Sequence, residues 1–110
     1  MPLTNTHEKM AALMAIALDA AVRFTPNPGA GFKPFWYVVT PGVEIKAGGV
    51  LKNVGGRGQN PYEAIESTWS NAAEDLPADR YLVINAADPA RRRAVRWNGF
   101  MWADVIEPKE

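Results

Sequence analysis

The chain has 110 residues, of which 47% are hydrophobic and 22% are charged, and its twelve basic and twelve acidic side chains give a formal net charge of zero. These values are typical of a single folded domain, 1–110, and argue against disorder and against general nucleic-acid binding, which requires a basic excess. Cysteine is absent and His7 is the single histidine, which excludes disulfides, thiolate metal sites and histidine pairs for zinc.

Residues 10–22 contain one charge, Asp19, among apolar residues of high helix propensity, and predict an N-terminal helix. Asn5 and Glu8 have the spacing of a capping box, and the helix should end near Phe24 because prolines follow. Thirteen residues are too few to cross a bilayer, and Asp19 interrupts any signal-peptide core, so we expect a cytoplasmic protein with no membrane partner.

The apolar residues of this helix occur nearly all the way round it, which predicts burial on two sides. Two arrangements satisfy that pattern. The helix is either the centre of a tightly packed monomer or the interface of a homo-oligomer.

Three strands are predicted after the proline- and glycine-rich loop 25–34. Residues 35–39 form an unbroken row of aromatic and β-branched side chains, which favours a strand buried on both faces. The Pro41-Gly42 and Gly48-Gly49 turns then separate strands at 43–46 and 50–54. We therefore expect an antiparallel meander.

A glycine-rich segment leads into a second helix that reaches about residue 73. Asn60 is a suitable N-cap and Glu63 completes a capping box. One buried stripe is predicted on this helix, because four apolar or aromatic residues recur at intervals of three or four: Tyr62, Ile65, Trp69 and Ala72. Gly56, Arg57 and Gly58 precede a helix N-terminus, where backbone N–H groups favour anions. The segment lacks the Lys and Ser/Thr of a P-loop, so the alternative is a flexible strand-to-helix connection.

The C-terminal part predicts a strand at 81–86, a turn at 87–90 and a hairpin over 91–106. Asn98-Gly99 is typical of a two-residue type I′ turn, which would place Arg96 opposite Met101 and Arg93 opposite Asp104. The predicted order is α-β-β-β-α-β-β-β. This is an α+β fold with an N-terminal helix (1–24) and a body (35–106) that ends in a three-stranded antiparallel meander.

Arg92 and Arg96 lie on one face of the predicted hairpin, roughly 13 Å apart by strand rise. Such a pair can contact two phosphates, and Met101, with aromatic residues of the strand 35–39 nearby, adds apolar surface for a flat ring. The alternative is that the arginines protect a sheet edge from aggregation. No motif pairs two carboxylates or pairs one with a nucleophile, so we expect neither an enzyme nor a cofactor.

The phrases GGRGQNPYEAIESTW and RRRAVRWNGFMWADV resemble small uncharacterised proteins of tailed phages and prophages, mainly over residues 35–106. Some such proteins sequester nucleotide signals, as the Thoeris anti-defence sponges do. The resemblance implies a non-enzymatic protein that binds a nucleotide-like signalling molecule at Arg57, Arg92 and Arg96. Two other functions are open: a protein–protein inhibitor or adaptor acting through the apolar helix or the acidic second helix, and weak binding of RNA or single-stranded DNA, which the zero net charge disfavours.

Overall fold

The computed structural model describes residues 5–27, 29–85, 90 and 92–107, and over these residues the fold is α+β, as predicted. In chain order the elements are α1 (Thr6–Ile16), β1 (Ala21–Thr25), β2 (Phe35–Val39), β3 (Val43–Ala47), β4 (Val50–Asn53), β5 (Arg57–Gly58), α2 (Pro61–Trp69), β6 (Tyr81–Ile84), β7 (Arg93–Trp97) and β8 (Trp102–Asp104). A π-helical turn, Ser70–Glu74, continues α2. The strands described form two antiparallel sheets, in the orders β1-β2-β5 and β4-β3-β6-β7-β8.

Helix α1 begins as predicted and ends earlier than predicted. The Glu8 N–H donates to the Asn5 side chain at 2.8 Å, which is the expected cap. The helix stops at Ile16 instead of near Phe24, and the next residues form β1, antiparallel to β2. Pairing of β-branched and aromatic residues across these two strands outweighs helix propensity here. In the described chain α1 is buried on one side only, since Ala11, Met14 and Ala15 are exposed.

The predicted meander of the three strands after the first loop is confirmed for its second pair, β3 with β4, and is wrong for its first pair. Strand β2 pairs with β1 and β5 in one sheet, whereas β3 pairs with β4 and β6 in the other. The turn at residues 40–42 carries the chain between the two sheets. Within β2 only Val38 is buried, so the expectation of a strand buried on both faces is also wrong.

The C-terminal meander β6-β7-β8 is confirmed, but the hairpin register is shifted by two residues. Trp97 pairs with Trp102, and Arg96 pairs with Ala103 instead of Met101. Residues 98–101 form a four-residue turn because the Asn98 side-chain oxygen accepts from the Phe100 and Met101 N–H groups, both at 2.9 Å. A shift of two leaves every strand side chain on its predicted face. The predicted turn at 87–90 lies outside the described residues except for Ala90, as does Arg91.

The main core lies where α1, α2 and the five-stranded sheet meet. Trp69 of α2 is fully buried, with Trp97 and Trp102 edge-on at 4.9 and 5.7 Å between ring centroids. Trp102 also donates its indole N–H to the Ala12 carbonyl at 2.8 Å, which attaches α1 to the hairpin. The predicted stripe of α2 is confirmed at Ile65, Trp69 and Ala72, whereas Tyr62 is exposed.

Candidate functional site

Two glycines determine where Arg57 points. A Cβ atom at Gly56 would lie 2.3 Å from the Thr68 backbone nitrogen, and one at Gly58 would lie 2.4 Å from the Glu63 Cβ. Both positions therefore require glycine, because the backbone of this segment lies directly against the side of α2. Since alternate residues of an extended segment point in opposite directions, Arg57 points away from α2.

The three-stranded sheet has one covered face and one uncovered face. Val38 and the half-buried Val22 and Trp36 pack with Ala64 and Ile65 of α2. The opposite side, which we call the open face, carries the side chains that alternate with those: Arg23, Thr25, Phe35, Tyr37, Val39 and Arg57. None of these six side chains is fully buried. The open face is therefore available to a ligand.

A cavity of about 690 Å³, which we call the cleft, lies over the open face and is bounded by the second sheet. Its floor includes Phe35, Tyr37 and Arg57, and Val43 and Asn53 of the five-stranded sheet line it as well. The remaining lining residues are Thr25, Asn27, Val38, Val39, Thr40, Pro41, Val54, Gly55 and Gly56. The volume falls within the range of small-molecule sites, roughly 300–1,000 Å³.

Arg57 is the one charged side chain among the described residues that line the cleft. Its guanidinium carbon lies 4.5 Å from the Phe35 ring centroid, a cation–π arrangement that holds the charge in place. The salt bridges found within the described part of the chain do not involve it. Its positive charge is thus oriented by an aromatic ring without forming a salt bridge to any carboxylate among the described residues.

The rest of the cleft supplies aromatic surface and neutral hydrogen-bonding groups. Phe35 and Tyr37 are 5.9 Å apart between ring centroids, at 60° to each other. Asn27 and Asn53 offer side-chain amides, which can donate and accept. The Asn71 side-chain amide donates to the Gly55 carbonyl and fixes the segment that carries Gly56. Such a lining suits a flat polar ring attached to an anionic group.

Arg92 and Arg96 are engaged in internal contacts at a distance from the cleft lining. The Arg92 Nε donates to a Glu107 carboxylate oxygen at 2.9 Å, and this hydrogen bond and the charge of Arg92 lower the pKa of Glu107. Arg96 donates to the Pro77 carbonyl at 2.7 Å, to the Leu76 carbonyl at 3.3 Å and to the Arg80 carbonyl. Both arginines therefore hold segments of the fold together.

The predicted site residues fall into two groups. Gly56 and Arg57 line the cleft, with Gly58 beside them against α2. Arg92, Arg96 and Met101 do not line it, and Met101 is exposed in the turn 98–101. Aromatic residues of the strand 35–39 were expected beside Arg96 and Met101, whereas the structure places Phe35 and Tyr37 in the cleft with Arg57. Their spacing of two was a signal that both share one face of a strand.

Comparisons with protein-family models, with curated proteins and with solved structures found no match for this chain. Among the residues that the structure describes, no group of three or more His, Cys, Asp or Glu side chains is arranged to hold a metal ion. None of the helices described is long and apolar enough to cross a membrane.

Proposed function

We propose that this protein binds a small anionic, nucleotide-like molecule in the cleft and catalyses no reaction. One observation carries the proposal: Arg57, the charged residue of the described cleft lining, rests on Phe35 with no salt bridge to a described carboxylate. A cation held in this way in a cavity of about 690 Å³ favours an anionic ligand of drug-like size.

The geometry suggests how each part of a nucleotide is bound. A phosphate accepts charge-assisted hydrogen bonds from Arg57, and the base stacks on Tyr37 or Phe35. The amides of Asn27 and Asn53 hydrogen-bond to the edge of the base. Sequestration of a nucleotide signal, which the resemblance to phage anti-defence sponges implies, needs tight binding and no catalytic group.

Binding is tested with a panel of nucleotides, including mononucleotides, cyclic dinucleotides and ADP-ribose derivatives. We expect at least one of them to raise the melting temperature of the wild-type protein. Arg57→Ala should lower the affinity for that ligand by about tenfold or more, because one charge-assisted contact is lost. The matched control is Arg93→Ala, since Arg93 is an exposed arginine paired with Asp104 at 2.8 Å and lies outside the cleft.

Isothermal titration calorimetry on the wild type and both variants measures the affinities. Arg93→Ala should bind like the wild type. A panel in which no nucleotide stabilises the wild-type protein, or equal weakening by both substitutions, contradicts the proposal.

A second role, self-association, is favoured by the exposed side of α1. Met14 is 43% exposed, Ala11 and Ala15 on the same helix are exposed, and Leu18 just beyond it is 86% exposed. Beside them, a hollow of about 220 Å³ between α1 and α2 is lined by Met10 and other mainly apolar side chains. We propose that a second copy of the chain covers this surface, which gives a homo-oligomer. The same surface serves a protein inhibitor or adaptor if the partner is another protein.

A further inference from the structure

We infer that the ligand carries two phosphate groups on either side of one base, as a short dinucleotide does, and that Arg23 binds the second phosphate. The inference rests on the proposed function and adds a subsite to it. Arg23 lies on the open face beyond the residues that line the cleft.

The strand register puts Arg23, Tyr37 and Arg57 in one row across the sheet. Arg23 pairs with Tyr37, and Tyr37 pairs with Arg57. Directly opposed residues of antiparallel strands project from the same face, so all three side chains rise from the open face. The outer strands of the row are about 10 Å apart, twice the usual strand spacing of about 4.8 Å. The Tyr37 side chain therefore rises between the two arginine residues of the row, and the Arg57 guanidinium rests on the neighbouring Phe35 ring.

The positive charges of this row are not neutralised by salt bridges within the part of the chain that the structure describes. Neither Arg23 nor Arg57 takes part in the salt bridges formed there, in contrast to Arg92 and Arg93, which pair with Glu107 and Asp104. Two like charges near each other on a surface are unfavourable until an anion approaches both of them. The row thus complements a ligand with two negative groups and a flat ring between them.

A phosphorylated dinucleotide has this arrangement, because its 5′-phosphate and its internal phosphodiester flank the first nucleoside. Base stacking on aromatic side chains contributes about 1–3 kcal/mol per base in single-strand binding proteins. A longer strand fits less well, since the protein has no net positive charge to attract further phosphates. We therefore commit to a free dinucleotide as the ligand.

The test compares three probes: adenosine monophosphate, the 5′-phosphorylated dinucleotide pApA, and a decamer of the same base. Each is titrated into the wild type, Arg23→Ala, Arg23→Lys and Arg57→Ala by calorimetry, with circular dichroism to confirm that every variant is folded. We expect pApA to bind the wild type about tenfold more tightly than the mononucleotide does, through one added charge-assisted contact.

Arg23→Ala should remove this difference while the affinity for adenosine monophosphate stays at the wild-type value. Arg23→Lys keeps a positive charge, so it should restore part of the preference for pApA. Arg57→Ala should lower the affinity for both adenosine monophosphate and pApA. This pattern separates the second phosphate subsite from the first.

Three outcomes contradict the inference in distinguishable ways. If the mononucleotide binds in an Arg57-dependent manner and pApA binds no more tightly, the second subsite is wrong and the proposed function stands. If neither probe binds, the dinucleotide assignment is wrong, and the nucleotide panel decides separately whether the proposed function stands. If the decamer binds much more tightly than pApA, the ligand is a nucleic-acid strand and the dinucleotide assignment is wrong.

Discussion

The arginine residues of this molecule have different roles, and the role of each depends on the groups that it contacts. Arg93 forms an ion pair with Asp104, Arg92 pairs with Glu107, and Arg96 donates to carbonyl groups of the segment between α2 and β6. The contact of Arg93 with Asp104 was predicted. In the shifted register Asp104 pairs with Val95, two residues from Arg93 on the same strand, so the two side chains still meet as diagonal neighbours. The partners of Arg96 were not predictable from charge matching, because they are backbone atoms.

The pair of Arg92 and Glu107 predicts a dependence of stability on pH. The hydrogen bond from Arg92 lowers the pKa of Glu107 below its ordinary value of 4.5, so the folded state holds the ionised form more strongly than the unfolded state does. Stability from this pair is present above the unfolded-state pKa and is lost as the pH falls through the lower folded-state pKa. Glu107→Gln should therefore be less stable than the wild type at pH 7, and the difference should shrink at acid pH.

Urea denaturation of both proteins at pH 7 and at pH 3 measures the two differences in free energy of unfolding. Asp79→Asn is the matched control, because Asp79 is exposed and takes no part in the described salt bridges. Equal destabilisation by Glu107→Gln at both pH values would show that the ion pair does not stabilise the fold through its charge.

At the scale of the elements, the glycine-rich segment packs closely against α2 because Gly56 and Gly58 have no side chains. Gly56→Ala or Gly58→Ala places a Cβ within 2.3–2.4 Å of atoms of α2, so the segment must move. Overpacking of this kind costs about 1–3 kcal/mol, and we expect a loss of free energy of unfolding in that range or above it. Gly55→Ala is the control, since a Cβ there meets nothing within 4 Å. Thermal and urea denaturation measure the effect, and similar stabilities of all three variants would contradict the packing interpretation.

Sequence patterns identified most of the helices and strands, and missed what depends on their pairing. Both helix N-caps, Asn5 and Asn60, are confirmed because a cap needs only residues three apart along the chain. The end of α1 was wrong because Ala17, Leu18 and Ala20 favour a helix by propensity, whereas the pairing of residues 21–25 with β2 is a long-range contact. The hairpin register was wrong because the Asn98 side chain favours a four-residue turn over the two-residue turn that Asn-Gly usually forms.

The candidate site was also only partly predictable, because it depends on strand pairing that local sequence patterns do not show. Residues 35–39 are apolar at every position, so alternation could not reveal which of their faces is open. Arg57 was predicted from its glycine neighbours, whereas Arg23 was hidden inside the predicted helix. Arg23, Tyr37 and Arg57 come from three strands that are distant in sequence, and their alignment depends on long-range pairing.

At the scale of the whole molecule, the exposed side of α1 and Leu18 just beyond it form the surface proposed for self-association. Met14→Glu should dissociate the proposed oligomer and leave the fold intact, because Met14 is exposed in the single chain. Ile16→Glu should instead unfold the protein, since Ile16 is 8% exposed and belongs to the core. Light scattering at tens of micromolar measures the molar mass, and circular dichroism reports folding. A monomeric wild-type protein at that concentration would contradict self-association.

The alternation of Gly56, Arg57 and Gly58 has an evolutionary consequence. The two glycines carry the packing against α2, while the side chain of the residue between them points to the side of the sheet that faces the cleft. A substitution at position 57 can therefore change the charge of the cleft without disturbing the helix behind it. Under the proposed function, position 57 can therefore vary with the ligand one codon at a time, while positions 56 and 58 stay glycine to pack against α2.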